Sequence, residues 1–209
     1  MVKLNCPSCA AEVEFVSKAT VFAVCKSCGS TLLRTDLKVE HIGKMAVLQN
    51  DPTPLQLQTG GIYNNRKFDL IGRIKQTWSD GEWNEWYAFF GDQNEAWLAE
   101  AQGFYMMSFP KTVSETLPDK QSLDAGLQVT LDKRLFTVED VKEVKCTFSE
   151  GELPFKAEYG ETSISVDLQG PDEDYACISY GEDKVRLYMG KYVKLEDLHL
   201  NNLRKFDGW

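Results

Sequence analysis

Histidine is nearly absent from this 209-residue chain: His41 and His199 are the only two. They stand far apart and neither belongs to a recognisable motif, so surface or supporting roles outweigh a general-base role. No apolar run approaches the ~18–20 residues that a membrane-spanning helix needs. The start of the chain lacks the basic-then-apolar pattern of a secretory leader, which makes the cytoplasm the expected compartment. There is no glycine-rich phosphate loop, no Gly-x-Ser-x-Gly elbow and no second metal motif. These absences nominate no enzyme, no catalytic residue and no organic cofactor.

Positive charge is also short, with 23 Lys+Arg against 32 Asp+Glu and a net charge of −9. The deficit is uneven. Residues 1–50 carry six bases and four acids, or +2, which leaves −11 for residues 51–209. Duplex DNA draws most of its affinity from Lys and Arg on phosphates, so the body of the chain is ill suited to nucleic acid. Residues 157–183 hold eight acids (Glu158, Glu161, Asp167, Asp172, Glu173, Asp174, Glu182 and Asp183) and no Lys or Arg. Such a stretch reads as solvated loops between strands, or as a surface for a basic partner.

The six cysteines divide into four and two. Cys6-Pro7-Ser8-Cys9 and Cys25-Lys26-Ser27-Cys28-Gly29 form a C-x2-C-x15-C-x2-C pattern. A tight turn between paired cysteines points two thiolates at one ion, and two such turns complete a tetrahedron. The spacing predicts a zinc ribbon over 1–36 with Cys6, Cys9, Cys25 and Cys28 as ligands of one structural Zn2+. Iron in a rubredoxin-like site uses the same four thiolates, and spacing does not separate the two metals. Two disulfides are the other use of these residues, disfavoured in a reducing compartment. Gly29 suits a backbone bend beside the metal, and 12–16 with 20–24 read as the two strands of a small hairpin. Cys146 and Cys177 lie singly in apolar strand patterns and read as buried thiols.

Beyond the ribbon, 37–54 reads as a bridge that breaks at Asn50-Asp51-Pro52-Thr53-Pro54. From residue 55 the pattern is mainly β. Short runs rich in aromatic and branched residues occur at 68–74, 85–90, 127–131, 144–148, 163–168, 175–180 and 185–189. Only 195–203 and 94–101 look helical. The run Ile74-Lys75-Gln76-Thr77-Trp78-Ser79-Asp80-Gly81-Glu82-Trp83 lines up with residues 144–153, Val144-Lys145-Cys146 through Ser149-Glu150-Gly151-Glu152-Leu153, at an offset of 70. Arg66-Lys67-Phe68 resembles Arg134-Leu135-Phe136 at offset 68, and 104–109 loosely parallels 174–180. This suggests an internal duplication: two tandem β-barrel-like or rolled-sheet modules at 55–115 and 122–203, which as 55–203 may equally be read as one compact domain. Both copies would carry a Ser-Asp/Glu-Gly-Glu turn. Trp78, Trp83, Trp86 and Trp97 cluster in the first copy, as core between modules or as an aromatic platform. Trp209 could anchor a tail.

One set of motifs resembles a known family. Thr53-Pro54-Leu55-Gln56-Leu57, Gly61-x-Tyr63, Phe68-x-Leu70-Ile71-Gly72-Arg73-Ile74, Trp83-Asn84-Glu85-Trp86-Tyr87 and Trp97-Leu98-x-Glu100-Ala101-Gln102-Gly103 come first. Gly151-Glu152-Leu153-Pro154-Phe155, Val166-Asp167-Leu168 and Leu187-Tyr188-Met189-Gly190-Lys191-Tyr192-Val193 continue it. Together, over residues 45–203, they resemble a bacterial family catalogued only as domain of unknown function 4178, in which an N-terminal zinc ribbon is a frequent companion. The resemblance implies no catalytic residues. It implies a setting beside bacterial membrane-stress proteins and polyamine-related genes. The expectation is a non-enzymatic adaptor with protein partners, set against a nucleic-acid-binding ribbon and, more weakly, a binder of polyamines or other small molecules.

Overall fold

Alternation of apolar and polar side chains marks a half-buried strand, and Glu12–Phe15 and Gln128–Leu131 each bury every second residue in the folded chain. The computed structural model describes residues 1–35, 38–45, 52–91, 95–112, 117–182 and 184–205. Asn50 and Asp51 of the proline break, Asn94, Thr116, Asp183 and the expected Trp209 anchor lie outside the described residues. Regular structure among the described residues is fifteen strands and two single 3-10 turns, with no α-helix. None of it is a helix long and apolar enough to cross a membrane.

Five strands build the N-terminal unit: β1 (Val2–Asn5), β2 (Glu12–Phe15), β3 (Phe22–Val24), β4 (Ser30–Thr35) and β5 (Lys38–Lys44). β1 pairs with β2, and β3 with β4, which also pairs with β5. The expected hairpin between 12–16 and 20–24 is therefore replaced by two hairpins. Each C-x2-C turn is itself the tip of one. Phe15 and Leu32 fill the small core between them, with Cys6 and Cys25.

The rest is β6 (Gly60–Tyr63), β7 (Arg66–Trp78), β8 (Gly81–Phe89), β9 (Glu95–Ala101), β10 (Phe104–Lys111), β11 (Gln128–Leu131), β12 (Arg134–Leu153), β13 (Thr162–Gln169), β14 (Asp174–Tyr180) and β15 (Val185–Val193). β7 to β10 form one antiparallel meander and β12 to β15 another. β10 then pairs with β15 and β12 with β7, which closes eight strands into one barrel. The mainly β reading stands, with the architecture sharpened: the two halves share a single barrel, because each four-strand meander leaves two open edges and the other half supplies their partners. Glycines sit at both seams. A Cβ on Gly72 would meet the Glu152 carbonyl oxygen at 1.9 Å, and one on Gly190 the Met107 carbonyl oxygen at 1.8 Å. Residues aligned at offset 70 face each other across the first seam: Gln76 opposes Cys146, and the Thr77 and Thr147 hydroxyls meet at 2.8 Å.

Four local expectations change. Residues Glu95–Ala101 are a strand, because slots between β8 and β10 override the helix propensity of Ala, Leu and Glu. Leu195–Leu198 is one 3-10 turn, ended by His199 in the left-handed region. Ser149-Glu150-Gly151 is no turn; β12 runs through it to Leu153 and reaches β3 of the N-terminal unit. By connectivity β10 corresponds to β15, not to 174–180.

Closure gives the sheet two unlike faces. Its outer face carries two apolar cores, one of Phe68, Leu70, Trp86 and Leu98 beneath β6 and Leu198, the other of Phe136, Val138, Val166 and Ile178 beneath β11 and Leu123. Residues from all eight barrel strands line the interior. Its end nearest the N-terminal unit is apolar, where Phe22 packs with Ile74, Tyr87, Trp97 and Leu153.

Candidate metal centre and barrel lumen

The two cysteine turns are built alike. The Cys6 N–H donates to the Ala11 carbonyl and the Ala10 N–H returns to the Cys6 carbonyl, both at 2.8 Å. In the second turn the Cys25 N–H donates to Ser30 at 2.8 Å and Gly29 N–H to Cys25 at 2.9 Å. Ala10 and Gly29 are equivalent, and both take positive φ, 60° and 70°. Gly29 does so freely; Ala10 does so against the clash of its Cβ with the backbone.

All four sulfurs lie within 4.8 Å of one another. Cys6 Sγ to Cys28 Sγ and Cys9 Sγ to Cys25 Sγ are each 3.8 Å, far beyond a disulfide, and all six cysteines are free thiols. A metal–sulfur bond of ~2.3 Å sets the edge of a tetrahedral thiolate cage at ~3.8 Å, so the donor set fits one ion. Ser30 Oγ, 3.2 Å from Cys28 Sγ, and the Ser30 N–H pull that thiol down, while Cys9, lowered by the Ala11 backbone, is on balance raised by the other thiols of the cluster. With four sulfurs the shell is full and leaves no position for substrate.

The centre is fastened to the barrel. β3 pairs with the last residues of β12, and the Glu152 carboxylate accepts from the Val16 N–H at 2.9 Å and the Ser17 N–H at 3.3 Å. Burial raises the Glu152 pKa, opposed by those two N–H groups.

The barrel separates the four tryptophans of the first half. Trp86 and Trp97 are core, on opposite faces of the sheet. Trp78 and Trp83 pack with their rings tilted and 5.4 Å apart on the rim of the far end, where a recess of about 580 Å3 opens. Deeper, a hole of about 70 Å3 is lined by Gln76, Glu85, Cys146, Ser165 and Cys177 among others. Burial pushes Glu85 up to about 7, opposed by the Trp83 indole N–H 3.1 Å away and reinforced by Asp167. Asp167 is raised by burial as well, although the Tyr175 hydroxyl donates to it at 2.8 Å. Burial lifts the Cys146 thiol to about 12 and that of Cys177 well above its usual value, so both are protonated and poor nucleophiles.

A second polar cluster lies on the outer face. Glu100 accepts from Thr53 Oγ1 at 2.7 Å, Asn84 Nδ2 at 3.0 Å and Trp86 Nε1 at 3.1 Å. Arg73, fully buried, gives two bonds to Asn84 Oδ1, lies 4.6 Å from the centre of the Trp86 ring, and pairs with Glu150 at 3.3 Å. Several motif residues behind the family resemblance thus form one structural network. A family model described as Domain of unknown function (DUF4178) matches residues 56–195, well over half of the chain. The chain belongs to this family. No curated protein matches it, and no solved structure does.

Other sequence candidates scatter. His41 is exposed on β5 and His199 caps the last 3-10 turn. The acids of 157–183 do not form one surface: Asp167 and Glu173 line the recess, while Asp174 pairs with Arg134 and Lys191. Sequence reasoning missed Gln76, Glu85 and Asp167 as a group. The signal was a polar face, Ser163-Ser165-Asp167, alternating with the apolar Ile164-Val166-Leu168, which ordinarily denotes solvent.

Proposed function

We propose that this member of the DUF4178 family is a non-enzymatic adaptor, a structural zinc ribbon docked on a binding barrel that engages its partners through the open end. The carrying observation is the barrel's asymmetry: one end is filled by Phe22 from the ribbon, the other opens into an acidic, aromatic recess. Zinc is the metal of choice because an all-thiolate, closed tetrahedron suits a redox-inert ion with a structural role. The matching connectivity of the two meanders supports a duplicated ancestor. The cytoplasmic and bacterial envelope-stress setting comes from the sequence and the family resemblance. An acidic mouth disfavours nucleic acid.

Metal analysis of the purified chain tests the first half: one zinc per chain is expected, and iron colour or no metal would overturn it. For the second half, affinity capture with the wild type is compared with a Glu139→Lys/Glu173→Lys chain. Loss of the captured proteins on reversing these recess charges is expected. Capture unchanged by the reversal, but lost when ribbon residues Lys3 and Lys26 are reversed, would move the binding surface to the ribbon.

A further inference from the structure

We propose that the open end of the barrel binds a primary ammonium group on a short unbranched apolar tail, its head at Glu85 and Gln76 and its tail between Trp83 and Phe104. This rests on reading the open end as the binding surface, and goes further by naming the ligand chemistry. Three features converge. Five carboxylates (Glu85, Glu139, Asp140, Asp167 and Glu173) line the recess against one ammonium, Lys142. The walls between them are aromatic, with Trp78, Trp83, Phe104, Tyr175 and Tyr192. The molecule already seats a cation on this rim, since Lys142 Nζ pairs with Asp140 and lies 4.7 Å from the centre of the Trp78 ring.

The decisive feature is deeper. Gln76 Oε1 is wholly buried and has no hydrogen-bond partner. A buried acceptor without a donor is costly, which points to a group that brings an N–H. Gln76 pairs in the ladder with Trp83, and Ile74 with Glu85, so Gln76 and Glu85 are diagonal neighbours on the lumen face. An ammonium has three donors and no acceptor; Glu85 and Gln76 offer it acceptors in the hole, and Asp167 adds a carboxylate on the wall of the adjoining recess. The hole of about 70 Å3 admits a head group of only a few heavy atoms. The larger recess, sharing Trp83, Glu85, Ser165 and Tyr175 with that hole, takes the tail. Phe104, 64% exposed on the rim, is an apolar surface with no cover of its own. Arg186, the cation on the hole's wall, stacks on Phe155, whose ring packs on Trp97 of the lumen.

The groups facing Glu85 are Cys146, Asp167, Tyr175, Cys177 and Tyr188, of which Asp167 is the one carboxyl and is itself raised by burial. Bound ammonium favours ionised Glu85, so affinity rises between pH 6 and 8.

The test titrates the metal-loaded 209-residue chain with n-butylammonium, following tryptophan fluorescence and melting temperature. Tetramethylammonium, butan-1-ol and potassium chloride serve as controls. Saturable binding of n-butylammonium is expected, with tetramethylammonium about tenfold weaker for want of N–H donors and no saturation by the other two. Glu85→Gln and Gln76→Leu each weaken binding by about tenfold; the exposed Phe104→Ala, which leaves the core untouched, weakens it by roughly threefold. Nα-acetyl-lysine amide separates two sources of the same chemistry: tighter binding than n-butylammonium assigns a partner's lysine side chain, weaker binding a free amine. Absence of saturation in the folded wild type, or equal responses to potassium and n-butylammonium, would overturn the proposal, as would undiminished binding in folded Glu85→Gln and Gln76→Leu. Those results leave charge-dependent capture of a protein partner standing, whereas capture unaffected by rim charges leaves ammonium binding standing.

Discussion

The ribbon and the barrel are held by opposite means. The ribbon encloses a small core around Phe15 and Leu32, and its strands run three to seven residues. With one metal ion bound, four thiols at hairpin tips would do for it what burial does elsewhere. The barrel contains no metal-ligand cluster among its described residues; closed ladders and two outer apolar cores hold it instead. The lesson is that stability and openness are separable. The barrel keeps two apolar cores outside, beneath β6 and β11, and a third plugs one end of the lumen, which leaves the other end free to be polar.

Removing the metal should break the contrast most sharply. Apparent metal-binding energies of structural zinc sites run to about 10 kcal/mol or more, so chelation or Cys9→Ser should unfold the ribbon while the barrel keeps its strands. Limited proteolysis cutting only before residue 45, with the far-ultraviolet circular dichroism of the barrel retained, is the expected result. Global unfolding in one step would show that β3 and Phe22 are integral to the barrel. The reciprocal change is Glu100→Ala, which strands Thr53, Asn84 and Trp86 without their acceptor. It should cost about 3 kcal/mol in denaturant titration while metal affinity is unaltered.

The lumen should show its cost through pH. Glu85 titrates near 7 in the folded chain against an ordinary 4.5, so between those values the folded chain holds the extra proton. Stability therefore falls as pH rises through that window, by about 3 kcal/mol once complete above pH 7. Glu85→Gln should raise the melting temperature at pH 8 and change it little at pH 4; a gain independent of pH would contradict the assignment. The smallest effect is expected in the ribbon, where Ala10 holds φ of 60°. Ala10→Gly should stabilise it by up to about 1 kcal/mol, read as slower metal release to a chelator.

Legibility followed the range of the interactions. The convergence of the four cysteines was readable because C-x2-C is a local constraint, satisfied by one turn of backbone. The hairpin between 12–16 and 20–24 was misread because β2 finds its partner in β1, before the first knuckle. Glu95–Ala101 read as a helix because propensity is local, while its neighbours β8 and β10 are set by the sheet. The Thr53, Arg73, Asn84, Trp86 and Glu100 network was visible only as a motif, since its members come from separate elements.

By itself, the sequence determined the paired cysteine turns, the mainly β character and the alternation along each strand. Tertiary structure alone decided what that alternation meant. A period of two says that a strand has two faces, not which one is enclosed. Pairing of β7 with β12 and β10 with β15 curled the polar face of β13 inward and left the apolar face to be covered by β11. That closure turned Gln76, Glu85 and Asp167 from apparent surface residues into the lining of the lumen and its mouth, because a ladder's register is set by partners distant in sequence.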